Sequence, residues 1–257
     1  MHLDVQTLRD FYYRSQLGRA AQKGVRDRLV DCWGPVAGLS LAGYGFAVPL
    51  LRPFLDEAAS VVGVMPAPQG VIPWPSDGAN HSVLCDDSRW PLANDSIDRL
   101  VMMHGLENTD HPLALLDEAH RVLAPQGRAM IVVPSRRGLW SRSDATPFGF
   151  GRPYSRGQIE RLLGDSGFIC TGHTAALFFP PSGRRFWLRS ARSIERLGQR
   201  WGLDRLGGVL MIEAMRRDTA APRGLRVTQR KPLRVLEGIP QSGAQPAWRD
   251  HHLPKTK

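Results

Sequence analysis

Two glycines one residue apart, in Leu39-Ser40-Leu41-Ala42-Gly43-Tyr44-Gly45-Phe46-Ala47, can turn the backbone tightly and let a ligand lie against it. Such a turn selects no ligand by itself. Val48 stands where a dinucleotide fingerprint needs its third glycine, and no Lys-Ser/Thr pair of a phosphate loop follows. Further on, Asp86-Asp87-Ser88-Arg89-Trp90 sets two carboxylates beside an indole. A stretch of nearly twenty residues, from Ser135 to Tyr154, is rich in glycine, proline, arginine and aromatics. Loops of that length inside a compact domain are usually functional or disordered. Its composition predicts a lid over a substrate with an anionic or planar group, with Arg152 and Tyr154 as contacts. The aromatic run Phe11-Tyr12-Tyr13 is placed to close the same space from the other side. Cys32, Cys85 and Cys170 are far apart and lack ligand spacing, so neither a disulfide framework nor a metal site is expected.

Charge marks a second kind of feature. The chain carries a net +10 over 257 residues. Residues 218–257 hold a net +5 with no sustained periodicity, which predicts a basic, disordered tail. Arg185, Arg189, Arg192, Arg196 and Arg200 recur every three or four residues, alternating with Leu188, Ala191, Ile194, Leu197 and Trp201. That pattern is an amphipathic helix with an arginine face. It reads either as a solvated surface or as a contact for an anionic one: RNA, acidic lipid or acidic protein. No apolar run is long enough to span a membrane, and the opening residues do not read as a secretory leader, so a cytoplasmic protein is expected.

Short apolar strands alternate with helices along the chain. Residues 2–33 have helical periodicity, and Val36–Ala42 is strand-like up to the paired glycines. Val48–Ala59 is a helix, Ser60–Met65, His81–Cys85 and Arg99–Met103 are strands, and a helix runs from Pro112 to Pro125. Arg128–Val133 is a strand, Ser155 to Gln158 is a capping box opening a helix, and Ile169–Phe179 and Gly208–Met215 are late strands. Such alternation predicts an α/β domain with a doubly wound sheet, its ligand crevice beyond the carboxyl ends of the strands. Three regions are expected: a helical cap over 1–33, the α/β domain over 34–217 and the tail over 218–257.

From the third strand onward the sequence resembles class I S-adenosylmethionine-dependent methyltransferases, most closely the group that includes quinone-biosynthesis enzymes. The resemblance rests on Asp86, Trp90-Pro91-Leu92, Ile97-Asp98, His104-Gly105-Leu106-Glu107 and the run Glu118-Ala119-His120-Arg121-Val122-Leu123-Ala124-Pro125-Gln126-Gly127. It implies a mostly parallel seven-stranded sheet with an antiparallel last strand, and S-adenosyl-L-methionine as cofactor. Carried over by position, Gly43, Tyr44 and Gly45 line the methionine and ribose part. Asp86 accepts from the adenine amine with Asp87 beside it, and Tyr44 or Trp90 faces the sulfonium. His104 sits opposite the reactive methyl, and His104 or Glu107 serves as base where the acceptor holds its proton.

Two positions depart from the family pattern. Leu41 stands where an acid usually precedes the first glycine, and Met65 where another closes the second strand to hold the ribose. The expected activity is methyl transfer to a small molecule. The alternatives are a non-catalytic binding or regulatory member of the fold, motivated by the missing acids, and an RNA- or ribosome-directed methyltransferase, motivated by charge.

Overall fold

The computed structural model describes residues 3–217. The expectation of a disordered tail over 218–257 lies outside the described residues. Residues 3–217 form one compact unit built around a seven-stranded sheet of order β3-β2-β1-β4-β5-β7-β6. The strands are β1 (Ser40–Gly45), β2 (Ser60–Pro66), β3 (Ser82–Cys85), β4 (Ile97–Met103), β5 (Leu123–Pro134), β6 (Phe168–Ala176) and β7 (Val209–Arg216). All neighbours from β3 to β5 run parallel, while β7 lies antiparallel between β5 and β6. The doubly wound, mostly parallel architecture is therefore the one the alternation of elements predicts. The strand order reverses between β1 and β4, and the loops at their carboxyl ends frame the crevice.

Helices cover both faces because each central strand is apolar on both sides. On one face lie α1 (Val5–Arg9), α2 (Gln16–Trp33), α3 (Val48–Leu51) and α6 (Arg185–Arg200), with Leu8, Val25, Leu29, Phe46, Leu50 and Met103 in a shared core. On the other lie α4 (Pro112–Val122) and α5 (Arg156–Asp165), where Leu115, Leu116, Ile159 and Leu163 meet Tyr44, Leu100 and Ile131. Ser155 and Gln158 form the expected capping box on α5.

The local differences from expectation have physical causes. The helix expected over 2–33 is broken: a single π-turn, Asp10–Arg14, follows α1, and Ser15 goes extended so that its hydroxyl caps α2 by accepting from Gly18 N at 2.8 Å. The helix expected over Val48–Ala59 shrinks to four residues and a 3₁₀ turn, because Pro53 can give no N–H to a helical ladder. The first strand starts later and continues through Gly43 to Gly45, so the glycines end the strand rather than follow it. Strand β5 starts directly after α4, taking in Pro125 and Gly127 through a register shift against β4 between Ile97 and Arg99. No helix among the described residues is long and apolar enough to cross a membrane, and no group of metal-binding side chains occurs among them.

Candidate functional site

The crevice is built from five segments. Tyr44 comes from the end of β1, Pro66 from the end of β2 with Pro68 and Gln69 just beyond it, and Asp87 from beyond β3. His104, Gly105, Asn108 and Thr109 follow β4, and Leu3 reaches in from the amino terminus. The topology thus brings together Tyr44, Asp87 and His104 of the expected site. Glu107 joins through His104.

His104 is the hub. It is fully buried and left-handed (φ 57°), which aims the imidazole inward from the tip of β4. Its Nδ1 lies 3.1 Å from Glu107 Oε1, and its Nε2 lies 2.6 Å from the hydroxyl of Tyr12. With Nδ1–H donated to the carboxylate, Nε2 is the acceptor and the phenol donates to it. Burial above all, and the Glu107 charge second, raise the Tyr12 pKa well above its usual value, so this phenol stays protonated. The His104 carbonyl is also held, by Gln69 Nε2 at 3.1 Å and Asn108 Nδ2 at 3.3 Å. Around the imidazole and phenol stand Phe46, stacked on Tyr12 at 5.7 Å, and Phe148, 4.8 Å from the His104 ring.

Three buried acceptors in this region have no donor: Gln69 Oε1, Glu107 Oε2 and Asn108 Oδ1. Uncompensated buried acceptors cost free energy; Gln69 and Asn108 line the crevice, whereas Glu107 stands behind His104.

The glycines serve the protein's own packing. A Cβ on Gly43 would stand 2.7 Å from Leu51 Cδ1, and one on Gly45 (φ 77°) would stand 2.3 Å from the Met103 carbonyl. Tyr44 turns to the opposite face, stacks on Trp90 at 4.6 Å and donates to Asp87 Oδ1 at 2.5 Å. Burial, then the Asp87 bond, raise its pKa. Thr109 Oγ1 donates to the other Asp87 oxygen at 2.8 Å. Asp86 points elsewhere: it is exposed, its Oδ1 accepts from Ser88 N and Oγ, and it lines an outer groove with Trp90.

The long loop is a wall and not a free flap. Trp140 and Phe148 are buried, Trp140 Nε1 donates to Phe179 O at 2.7 Å, and two 3₁₀ turns shape the segment. Arg152 touches the crevice only through its backbone, its N–H donating to Glu107 O at 2.8 Å. Tyr154 lines a separate groove of about 500 Å³ with Arg137, His173 and Leu210.

The Glu118–Arg121 pair has a clear task. Glu118 Oε2 accepts from Trp90 N at 2.9 Å. Arg121 binds Glu118 through Nε and one terminal nitrogen, and reaches Leu92 O, Asn94 Oδ1 and Trp90 O. This clamp moors the loop after β3 to α4. Arg121→Ala is expected to lower unfolding free energy by about 1–3 kcal/mol, discounted for the guanidinium's partial exposure, with lysine restoring little because it has no planar fork. Urea unfolding of both variants measures this.

Sequence reasoning did not single out Gln69 or Asn108. Pro66-x-Pro68-Gln69, where the family has its ribose-binding segment, was the available signal. Tyr12 belongs to the aromatic run and His104 to the expected site, but the sequence does not show that the two pair.

An adenosyl cofactor does not fit the crevice as it is folded here. The residual cavity is about 10 Å³, whereas small-molecule sites occupy about 300–1,000 Å³. Space, and not donor–acceptor character, is what is missing, and the amino-terminal segment carrying Leu3 and Tyr12 takes it up.

Four similarities bear on this arrangement. A demethylmenaquinone methyltransferase of Protochlamydia amoebophila is 29% identical over 115 residues, covering 35% of this chain and 48% of that protein. The chain thus spans about half the length of that curated relative. A SAM-dependent methyltransferase of Thermotoga maritima, described as a possible histamine N-methyltransferase, superimposes with a TM-score of 0.54 at 17% identity, covering 83% of this chain and 96% of its own. Geranyl diphosphate C-methyltransferase of Streptomyces coelicolor, solved with S-adenosyl-L-homocysteine, gives 0.51 at 18% identity, covering 75% of each chain. A model of the methyltransferase domain matches residues 42–206, well over half of the chain. With that match and this sheet order, the chain belongs to the methyltransferase-domain family, of the class I S-adenosylmethionine-dependent type.

Proposed function

We propose that the chain transfers a methyl group from S-adenosyl-L-methionine to a small-molecule acceptor, in a crevice that its own amino-terminal segment must first vacate. The observation that carries this reading is the buried Glu107–His104 pair at the tip of β4, beside the reversal in strand order.

The bound cofactor supplies an electrophilic methyl group on a cationic sulfur. Gln69 and Asn108, with their idle amide oxygens, Gly105, Tyr44 and Asp87 are the residues placed to hold it. Asp86, whose Oδ1 already serves Ser88, faces the outer groove and would reach an adenine amine only if the loop after β3 turned inward. When Tyr12 leaves, His104 Nε2 becomes free to take the proton of an incoming hydroxyl or amine. Glu107 fixes the tautomer and stabilises the imidazolium that forms. Phe46 and Phe148 keep water from the imidazole. Arg152 and Tyr154 lie outside this set, and a role for them at the acceptor requires the loop to rearrange.

Neutral Leu41 and Met65 set the expected affinity. A hydrogen bond to a charged group is worth about 1.5–3 kcal/mol, so a missing ribose acid weakens binding roughly ten- to a hundredfold. The closed crevice weakens it again by the fraction of molecules that are open. Calorimetric titration of the full chain is expected to give weak, saturable heat, tightened several-fold by Tyr12→Phe. His104→Gln is expected to leave binding intact and cut turnover by about 10²–10⁴. Absence of heat at millimolar cofactor in both the parent and Tyr12→Phe overturns the proposal. The small cavity favours one second reading, a non-catalytic member of the family, and that null titration is its expected result.

A further inference from the structure

Helix α6 lies apart from the crevice loops and carries two parallel rows on its outer surface. Arg185, Arg189, Arg192, Arg196 and Arg200 form one, and all five are exposed. One residue further round runs Phe186, Ser190, Ser193, Leu197 and Trp201. Phe186 and Trp201 are each 69% exposed, Leu197 is 48% exposed, and Leu206 just beyond the helix is 65% exposed. Burying these in water-free surroundings is favourable, and nothing in the compact unit does so.

The charge is one-sided. Glu195 is the only acid on the helix, and it turns inward, buried, to accept from Phe178 N at 2.7 Å. Asp27 and Asp31 of α2 share a groove with Arg192 and Arg196, and Lys23 already holds Asp27 at 2.6 Å. Arg185, Arg189 and Arg200 do not line that groove. A second copy of the helix would set arginine against arginine. A nucleic acid would satisfy the arginines and leave Phe186, Leu197 and Leu206 in water. A bilayer with anionic headgroups satisfies both rows together: arginine stems snorkel to the phosphates while the aromatic and aliphatic groups enter the acyl boundary.

We propose that the outer face of α6 is a peripheral docking surface for an anionic lipid bilayer. The two rows define the contact, with the helix axis lying along the membrane plane. This surface is independent of the methyl-transfer reading and stands whether or not the crevice opens.

Co-sedimentation of the full chain with vesicles tests it, comparing phosphatidylcholine alone with phosphatidylcholine containing phosphatidylglycerol at three parts in ten. Binding is expected only to the anionic vesicles. The triple variant Arg185→Gln/Arg189→Gln/Arg200→Gln is expected to bind roughly a hundredfold more weakly, from about fivefold per arginine. Phe186→Ser/Trp201→Ser is expected to lose the part of the binding that survives half-molar salt. All five positions are exposed, so both variants keep the parent's melting temperature, which is checked first. Equal binding to neutral vesicles, parental binding by both variants, or capture by polyuridylate RNA with none by anionic vesicles each overturns the proposal.

Discussion

Tyr12→Ala is expected to lower the unfolding free energy by about 4–6 kcal/mol in urea titration, and Tyr12→Phe by about 1–3 kcal/mol. The larger figure combines two losses. Removing a fully buried aromatic ring leaves a cavity among Phe11, Phe46 and Phe148, and deleting the phenol strands His104 Nε2 in a dry site. The phenylalanine variant keeps the ring and removes only the donor, so it isolates the 2.6 Å bond to His104. It also keeps the test meaningful if the alanine variant does not fold. A phenylalanine variant as stable as the parent shows that the Tyr12–His104 bond is not made in solution.

Glu195 governs the second large effect, a dependence of stability on pH. Its carboxyl is buried under α6 beside Phe178 and the left-handed Leu177 (φ 64°), and its Oε2 has no hydrogen-bond partner. Burial pushes its pKa up from 4.5 to about 7, with the backbone N–H groups of Phe178 and Leu177 opposing. A carboxyl whose folded pKa is raised contributes most below its unfolded pKa, and that contribution is lost as pH rises through the folded value. Unfolding free energy is therefore expected to fall by about 2–3 kcal/mol between pH 4.5 and 7.5 on account of this residue. Glu195→Gln keeps an acceptor for the backbone amides and cannot ionise. The difference between the two pH profiles isolates Glu195, and superimposable profiles refute the assignment.

Much of the scaffold could be read from the chain because its signals are local. Apolar runs bounded by Pro66, Pro134 and the glycines mark strands, and Ser155 with Gln158 marks a helix start. The Glu118-to-Gly127 run pointed to the family, and the structure gives its physical content in the Arg121 clamp. The break in the first helix was not legible, since Ser15 is an ordinary helix residue until its hydroxyl caps α2. The crevice was only half visible. Sequence spacing places His104, Glu107, Asp87 and Tyr44 on loops of one sheet edge, where they meet. It carries no information about a contact between positions 12 and 104, because that depends on how α1 settles over finished strands. Asp86 and Asp87 show the same limit: two adjacent carboxylates face different ways, and only Asp87 lines the crevice.

The insertion of β7 between β5 and β6 has a consequence for biosynthesis. A chain emerging from the ribosome exposes both β5 and β6 before the strand that joins them, residues Val209–Arg216, has been released. Until then Met130, Ile131, Val132 and Ala175 present open edges to any passing extended peptide. The nascent polypeptide therefore stays adhesive from the emergence of β5 until Val209–Arg216 follow, and chaperone shielding matters most just before that strand slots home.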